Sequence, residues 1–446
     1  MDQSIFRLYD IRGKYPKELD EKSVFFIALN SKKFFPKRGK IIVGHDARLS
    51  SPKLYSVLVS GLEKSGFEPI KIGFSTSPMM AFFIRELKAK GAVMITASHN
   101  PKEYNGLGIY NEKGKAISGR RIYEKIKEAS ATKYEIVRIY ENKKNDFKAT
   151  NFHKQYANFL KNFINAKKQL KVIVDCSNGS AGPVWKILKE YYQKLGIKIV
   201  LKNNKPNGNF PAHGPNPLAK KAINNVKKEV LKQKADAGVI FDGDGDRAVF
   251  LDENGNEISS YYAWRLLALS QRIKKTIASV TEEFEIKIMS ETLSYKPNIL
   301  ISPVGHLFLI NKMIETKSDL GVESSGHYYF KDFFHSDSGI LAAIKFINSL
   351  SALPYQLSSY ISMLPKIFYI PEIVVKTKKG DENRIIEKFE KIFSKLSLSS
   401  NKIDGASFFF KNSFVNIRPS NTEDIVRINI VGTDKKEIER LRNLMK

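Results

Sequence analysis

The chain carries one cysteine, Cys176, in 446 residues. A lone cysteine excludes an internal disulfide framework and fits a reducing compartment, so the cytoplasm is the simplest expected location. Long apolar runs are missing too. No stretch reaches the roughly 18 consecutive apolar residues of a transmembrane helix, and the opening MDQSIFRLYD has neither the basic start nor the apolar core of a signal peptide. No membrane partner is expected. Acidic residues are few for the length: 46 stand against 74 basic ones, a formal charge of +28. Such an excess can hold nucleic acid or draw in small anions. The lysines, however, are spread along the whole chain and accompany abundant Asn, Ile, Phe and Tyr. That mixture has the character of a biased genome composition, and nucleic-acid binding is not expected.

What is present is ordinary for a globular protein, with 42% hydrophobic and 27% charged residues. The length is too great for one core, so three or four domains are expected. One pattern recurs. Lys40–Gly44 reads as a strand, followed by a helix over Pro52–Ser65 and a strand over Pro69–Ile72. Ser51 is the expected cap of that helix, Pro52 its first position and Gly66 its stop. The second copy runs through strand Lys171–Cys176, the loop NGSAG, helix Pro183–Leu195 and strand Ile197–Leu201. The third runs through strand Thr276–Val280, helix Glu282–Leu293 and strand Asn298–Ser302. Strand, helix and strand at this spacing mean βαβ units with parallel strands. The tail differs. Phe408–Phe410, Val415–Ile417 and Ile425–Val431 read as strands before a charged helix from Lys435, which is the pattern of a smaller α+β domain.

Four polar clusters interrupt these elements. In GAVMITASHNP the apolar strand Ala92–Ile95 runs out into a loop that holds Ser98. Ligand and catalytic groups collect beyond the carboxyl ends of such strands, although an isolated serine is more often a turn residue. In FDGDGDR, between strands Ala237–Phe241 and Ala248–Leu251, Asp242, Asp244 and Asp246 alternate with glycines. Crowded carboxylates repel one another without a hard cation to share. An EF-hand with Glu253 in the twelfth place is rejected, because Arg247 stands where that loop needs glycine and both flanks are strands. In GVESSGHYYF, Glu323, Ser325 and His327 offer the mixed donors and acceptors that a hydroxyl-rich ligand needs. In RPSNTEDIVR, Arg418 and Arg427 with Ser420, Asn421 and Thr422 supply the donors of a phosphate site, the plain alternative being a capped turn.

Together these segments resemble the α-D-phosphohexomutase family, and within it the bacterial and archaeal phosphomannomutase/phosphoglucomutase group. TASHNP is similar to its serine loop, DGDGDR to its metal loop, VESSGH to its sugar loop and RPSNT to its phosphate loop. FRLYDIRG at residues 6 to 13, DCSNGSAG, PNGNFPAHGPNPL and DSGILAA resemble further family segments, in order along nearly the whole chain. The resemblance implies an α/β fold of four domains around a central cleft. Three would be related α/β domains with mixed sheets, at 1–147, 148–251 and 252–364, and the fourth an α+β domain at 365–446. It implies a mutase that interconverts hexose 6-phosphate and hexose 1-phosphate, of mannose, glucose or both, through a phosphoserine at Ser98 and a hexose 1,6-bisphosphate. One magnesium ion would be held by Ser98, Asp242, Asp244 and Asp246, with the bisphosphate as activator. Arg12, His99, Arg247 and His327 would serve transfer; His306, Glu323, Ser325, His327 and the Arg418 loop would bind substrate. Partners would be sugar phosphates, and the protein a monomer or dimer.

The sequence also departs from the family. Gly108 in YNGLG stands where a lysine is expected, IASVTE at 277–282 lacks a basic residue, and Asp424 replaces a proline. Two alternatives follow: the same chemistry on glucosamine phosphate, or a weakly active or non-catalytic sugar-phosphate binder.

Overall fold

The computed structural model describes residues 2–35, 37–129, 150–378, 380–420 and 424–445. It divides into two compact units, one of Met1–Ser259 with Ser325–Ser358 and one of Ser260–Ser324 with Ser359–Lys446. Among the described residues no helix is long and apolar enough to cross a membrane.

The first unit contains two five-stranded mixed sheets of the same plan. In the first, strands Ile11–Lys14, Tyr104–Asn111, Gly91–Ile95, Lys40–His45 and Glu68–Phe74 lie in that spatial order. Lys40–His45 runs parallel to both Glu68–Phe74 and Gly91–Ile95, while Tyr104–Asn111 returns antiparallel. Side chains alternate across this sheet, as strand geometry requires. Ile41, Val43, Val93, Ile95, Leu107 and Ile109 form a core with Leu54, Leu58 and Leu62 of helix Ser51–Lys64. The other face meets helix Pro78–Glu86, whose Met80 lies under Gly44. The second sheet orders Glu257–Ile258, Ala248–Leu251, Ala237–Phe241, Lys171–Asp175 and Lys198–Lys202. Here Lys171–Asp175 is parallel to both Lys198–Lys202 and Ala237–Phe241, with an antiparallel return at Ala248–Leu251.

In the second unit, Lys275–Ser279 pairs in parallel with Asn298–Ser302 and Leu320–Val322. Helix Glu283–Glu291 makes the crossover. The tail forms an antiparallel sheet ordered Phe368–Lys376, Ile425–Gly432, Ser413–Pro419, Ala406–Phe409 and Ser399–Asn401, with helices Glu382–Phe393 and Lys435–Asn443. This is the expected α/β class with an α+β tail.

One local expectation fails. Ser51 does not cap helix Ser51–Lys64; it is the helix's first residue, and the cap position belongs to Ser50, whose side chain makes no capping bond. The Ser51 hydroxyl instead donates to Asp46 Oδ1 at 2.6 Å, a buried carboxylate that outcompetes the helix's own amides. Strand Tyr104–Asn111 and helix Pro78–Glu86 also lie outside the three repeats read from the sequence.

Candidate active site

In the first unit one strand from each sheet runs out into a function-bearing loop. Gly91–Ile95 leads into Ser98, and Ala237–Phe241 into Asp242. This is where an open α/β sheet places ligand groups. The two loops touch. Ser98 Oγ donates to Asp242 Oδ2 at 2.8 Å, and a Cβ added to Gly243 would stand 2.7 Å from the Ser98 carbonyl oxygen, so only glycine permits the approach. Ser98 is buried and holds a left-handed backbone with φ of +47°. For a non-glycine residue that conformation persists only where neighbours enforce it.

The enforcement comes from Arg48, a buried residue that the sequence reading passed over. Its guanidinium donates to the carbonyls of Ser98 at 2.8 Å, Asn100 at 2.7 Å, Pro101 at 2.6 Å and Tyr104 at 3.0 Å. Its Nε donates to Asp46 Oδ2 at 3.0 Å, and Asp46 Oδ2 also accepts from Thr96 Oγ1 at 2.9 Å. Thr96 Oγ1 in turn accepts the Ser98 amide at 2.8 Å. One planar cation thus staples the whole turn. Arg48→Met should leave the buried Asp46 carboxylate without its cation and strip one donor from each of four loop carbonyls. Urea unfolding should show a loss of about 3–5 kcal/mol, the scale of a broken buried ion pair.

The carboxylates converge as their spacing implied. Ligand oxygens of Asp242, Asp244 and Asp246 all lie within 4.8 Å of one another. Asp242 Oδ1 accepts the Gly245 amide at 2.9 Å and Asp244 Oδ2 the Ser77 hydroxyl at 2.6 Å, while the Thr96 hydroxyl, with one hydrogen shared between Asp46 and Asp244, lies 3.0 Å from Asp244 Oδ2. Burial opposes the charge of Asp242, yet Arg247 and bonds from its neighbours hold it below the ordinary carboxylate value. Burial and then Asp242 push Asp244 and Asp246 well above theirs. Asp244 Oδ1 and Asp246 Oδ1 are buried with no hydrogen-bond partner. Unpaired anionic oxygens around one point are the donor set of a hard divalent cation. Glu253 is engaged elsewhere, accepting the Ser358 hydroxyl and its amide, so the loop is no EF-hand.

Around this centre stand the other expected residues of the unit. His99 Nδ1 lies 3.2 Å from Ser98 Oγ. Burial, then Arg247 and Arg12, push its pKa down to about 2, so the ring is neutral at working pH. Arg12, on strand Ile11–Lys14, donates to Asn100 Oδ1 at 2.8 Å and pairs with Asp10. Arg247 Nε donates to His327 Nε2 at 2.9 Å, and His327 Nδ1 lies 2.7 Å from Asp337 Oδ2. That chain fixes the tautomer: Nδ1–H faces the carboxylate and Nε2 accepts. Asp337 was visible only as part of DSGILAA. Ser325, also in this unit, is half-buried in the loop before His327.

The second unit carries the remaining residues. His306 opens helix His306–Thr316, and the buried Glu323 follows strand Leu320–Val322. Arg418 and Arg427 face each other across paired strands, and the Ser420 amide closes their hairpin on Ile425 O at 2.9 Å. Like charges directly opposite are unfavourable unless an anion lies between or beside them. Arg427 pairs with Glu372 at 2.5 Å, whereas Arg418 Nε is buried with no partner. Asn421 and Thr422 lie outside the described residues. Burial raises the Glu282 carboxyl in spite of bonds from Ser324 and Thr281; it belongs to the segment that lacks the expected basic residue.

Comparisons with known proteins place these features in a lineage. Residues 3–135, 154–255 and 254–368 match alpha/beta/alpha domains I, II and III of phosphoglucomutase/phosphomannomutase, and residues 372–445 match its C-terminal domain. A phosphomannomutase of Escherichia coli (strain K12) is 31% identical over 434 residues, covering 95% of this chain and 94% of the relative. One of Methanocaldococcus jannaschii is 32% identical over 454 residues, covering 100% and 98%. The crystal structure of a phosphoglucomutase/phosphomannomutase family protein from Burkholderia thailandensis superposes with a TM-score of 0.82 at 26% identity, covering 99% of this chain and 96% of that one.

Proposed function

Because the chain belongs to the phosphoglucomutase/phosphomannomutase family, we propose that it interconverts hexose 6-phosphate and hexose 1-phosphate, with Ser98 as the phosphoryl carrier. The observation that carries this reading is the Ser98 hydroxyl itself. It is held in a strained turn, 2.8 Å from a carboxylate of a three-aspartate cluster. In the first half-reaction the bond between phosphorus and Ser98 Oγ breaks as a sugar hydroxyl oxygen bonds to phosphorus, giving the 1,6-bisphosphate. The hydroxyl's proton must leave to a base. The second half-reaction returns the other phosphoryl group to Ser98 Oγ, and one proton goes back to the freed sugar oxygen.

Several residues support these steps. His327, whose Nδ1 faces Asp337 and whose Nε2 accepts from Arg247 Nε, can exchange a proton at Nε2 when the bond to Arg247 opens. The guanidinium groups of Arg12 and Arg247 bring positive charge toward the transferring phosphoryl. His99 holds the Ser98 hydroxyl. The oxygens of Asp242, Asp244, Asp246 and Ser98 would hold one magnesium ion, which when bound neutralises charge on the phosphoryl oxygens. His306, Glu323 and Ser325 are proposed to read sugar hydroxyls. Arg418, Ser420 and Arg427, with Asn421 and Thr422, are proposed to clamp the phosphate that does not react. The substrates would be mannose or glucose phosphates, the bisphosphate the activator, and the setting the cytoplasm. Four domains near 1–147, 148–251, 252–364 and 365–446 complete the reading.

The test is turnover of mannose, glucose and glucosamine 1-phosphates with catalytic hexose 1,6-bisphosphate, alongside intact mass. Incorporation of one phosphoryl group that is lost on dephosphorylation, with turnover of at least one sugar, is the expected result. Binding of all three without turnover would make the protein a sugar-phosphate binder. Arg418→Ala should lower kcat/KM roughly 10–100-fold through loss of charge-assisted hydrogen bonds, raising KM and lowering kcat together. Unchanged kinetics from both 1- and 6-phosphates would remove the clamp role.

A further inference from the structure

Tyr110 stands two residues beyond Gly108 on strand Tyr104–Asn111, so both project from the same face of the sheet. Gly108 is paired with Met94, and Thr96, two residues further along, sends its hydroxyl from that face to Asp244. The Tyr110 side chain leans back along the strand over Gly108. A Cβ built on Gly108 would stand 3.1 Å from the phenol oxygen and 3.3 Å from the ring's Cε2. Since Gly108 lies nearer than Tyr110 to the end of strand Gly91–Ile95 from which the Ser98 loop departs, this lean carries the hydroxyl toward that loop. The phenol hydrogen-bonds to none of the described residues, and the carboxylates of Asp337, Asp246, Asp244 and Asp10 all bear on it.

Those four carboxylates belong to the groups already placed around Ser98. Asp337 orients His327, Asp10 pairs with Arg12, and the other two face the cation position. A phenol in that company, raised further by burial, keeps its hydrogen and has it to donate to an anionic oxygen. A transferring phosphoryl group presents three equatorial oxygens to be satisfied. The arginines nearby are partly committed, Arg12 to Asp10 and Asn100 and Arg247 Nε to His327. We propose that the Tyr110 hydroxyl, lodged in the space left by the missing side chain at Gly108, donates a hydrogen bond to the phosphoryl group in transit at Ser98. This rests on the mutase reading above. It also ties the Tyr110 position to Gly108: a Cβ there pushes the phenol back by a few tenths of an ångström, and a larger side chain displaces it.

Tyr110→Phe and Gly108→Ala, alone and combined, are assayed with mannose 1-phosphate and hexose 1,6-bisphosphate, with melting temperature measured in parallel. Tyr110→Phe should lower kcat roughly 10–100-fold, the scale of one hydrogen bond to a charged group, with KM and melting temperature near wild type. Gly108→Ala should also lower kcat, and the double variant should be no slower than Tyr110→Phe, since both changes remove the same contact. Wild-type kcat in Tyr110→Phe overturns the proposal, as do independent losses that multiply in the double variant. A kcat loss that comes with a lowered melting temperature marks a packing role and overturns it too. An inactive wild type overturns the mutase reading and this inference together; an active wild type with an equally active Tyr110→Phe overturns the inference alone.

Discussion

Ser98→Ala is expected to abolish mutase turnover, by on the order of 10⁶-fold, the scale seen when a nucleophile is deleted. The loss should be chemical and not structural. The turn is held through backbone carbonyls by Arg48, and those bonds do not involve the Ser98 hydroxyl. Asp242 loses one donor but keeps the Gly245 amide, so stability should fall by only about 1–2 kcal/mol. Two measurements together decide the point. Intact mass should show one phosphoryl group on wild type and none on the variant, and the sugar-phosphate assay should read zero. Turnover by a clean Ser98→Ala preparation would move the carrier elsewhere, and neutral His99, 3.2 Å away, would be the first candidate.

The second large effect is expected at Asp244. Asp244→Asn keeps the shape, and its amide oxygen can still accept from Ser77 and Thr96. What it removes is a carboxyl whose ionisation burial and then Asp242 oppose in the metal-free cluster. Without metal the variant should therefore be at least as stable as wild type, because mutual repulsion is relieved. Magnesium should raise the melting temperature of wild type by linkage and should barely move the variant. Turnover in magnesium should fall at least 10²-fold with the loss of a hard ligand. A variant stabilised by magnesium as wild type is, or turning over at the same rate, would remove Asp244 from the metal set.

Much of the fold was legible because local signals agreed with global ones. Lys40–Gly44, Lys171–Cys176 and Thr276–Val280 are short apolar runs before helical segments, the first two stopped by Gly66 and Gly196, and each lies within a residue or two of a parallel strand. Strand Tyr104–Asn111 gave no such signal, because YNGLGIYN has two glycines and little alternation. Its place is set by pairing on both sides, with Ile11–Lys14 and Gly91–Ile95. Ser51 departs from its sequence signal for a related reason: a hydroxyl beside a helix start has the pattern of a cap until a buried carboxylate such as Asp46 lies nearer.

The chemistry of each loop could be read from its residue types, since three alternating aspartates repel and a dense Arg, Ser and Asn set attracts phosphate wherever the chain puts them. Which loops meet could not be read from residue types, and only the family resemblance put Ser98 with the aspartates, because contact depends on strand order and on the face each side chain takes. Ser98 bonds to Asp242 across 144 residues, Ser77 to Asp244 across 167, and Arg247 to His327 across 80. Arg48 illustrates the limit most plainly. In GHDARLSSP it is one more basic residue among 74 Lys and Arg. Only when strand Lys40–His45 is laid beside Gly91–Ile95 does its guanidinium reach the Ser98, Asn100, Pro101 and Tyr104 carbonyls. Gly108 is the mirror case. The sequence shows an absent side chain, and the folded sheet shows the Tyr110 hydroxyl leaning into its space, because residues two apart on a strand share a face.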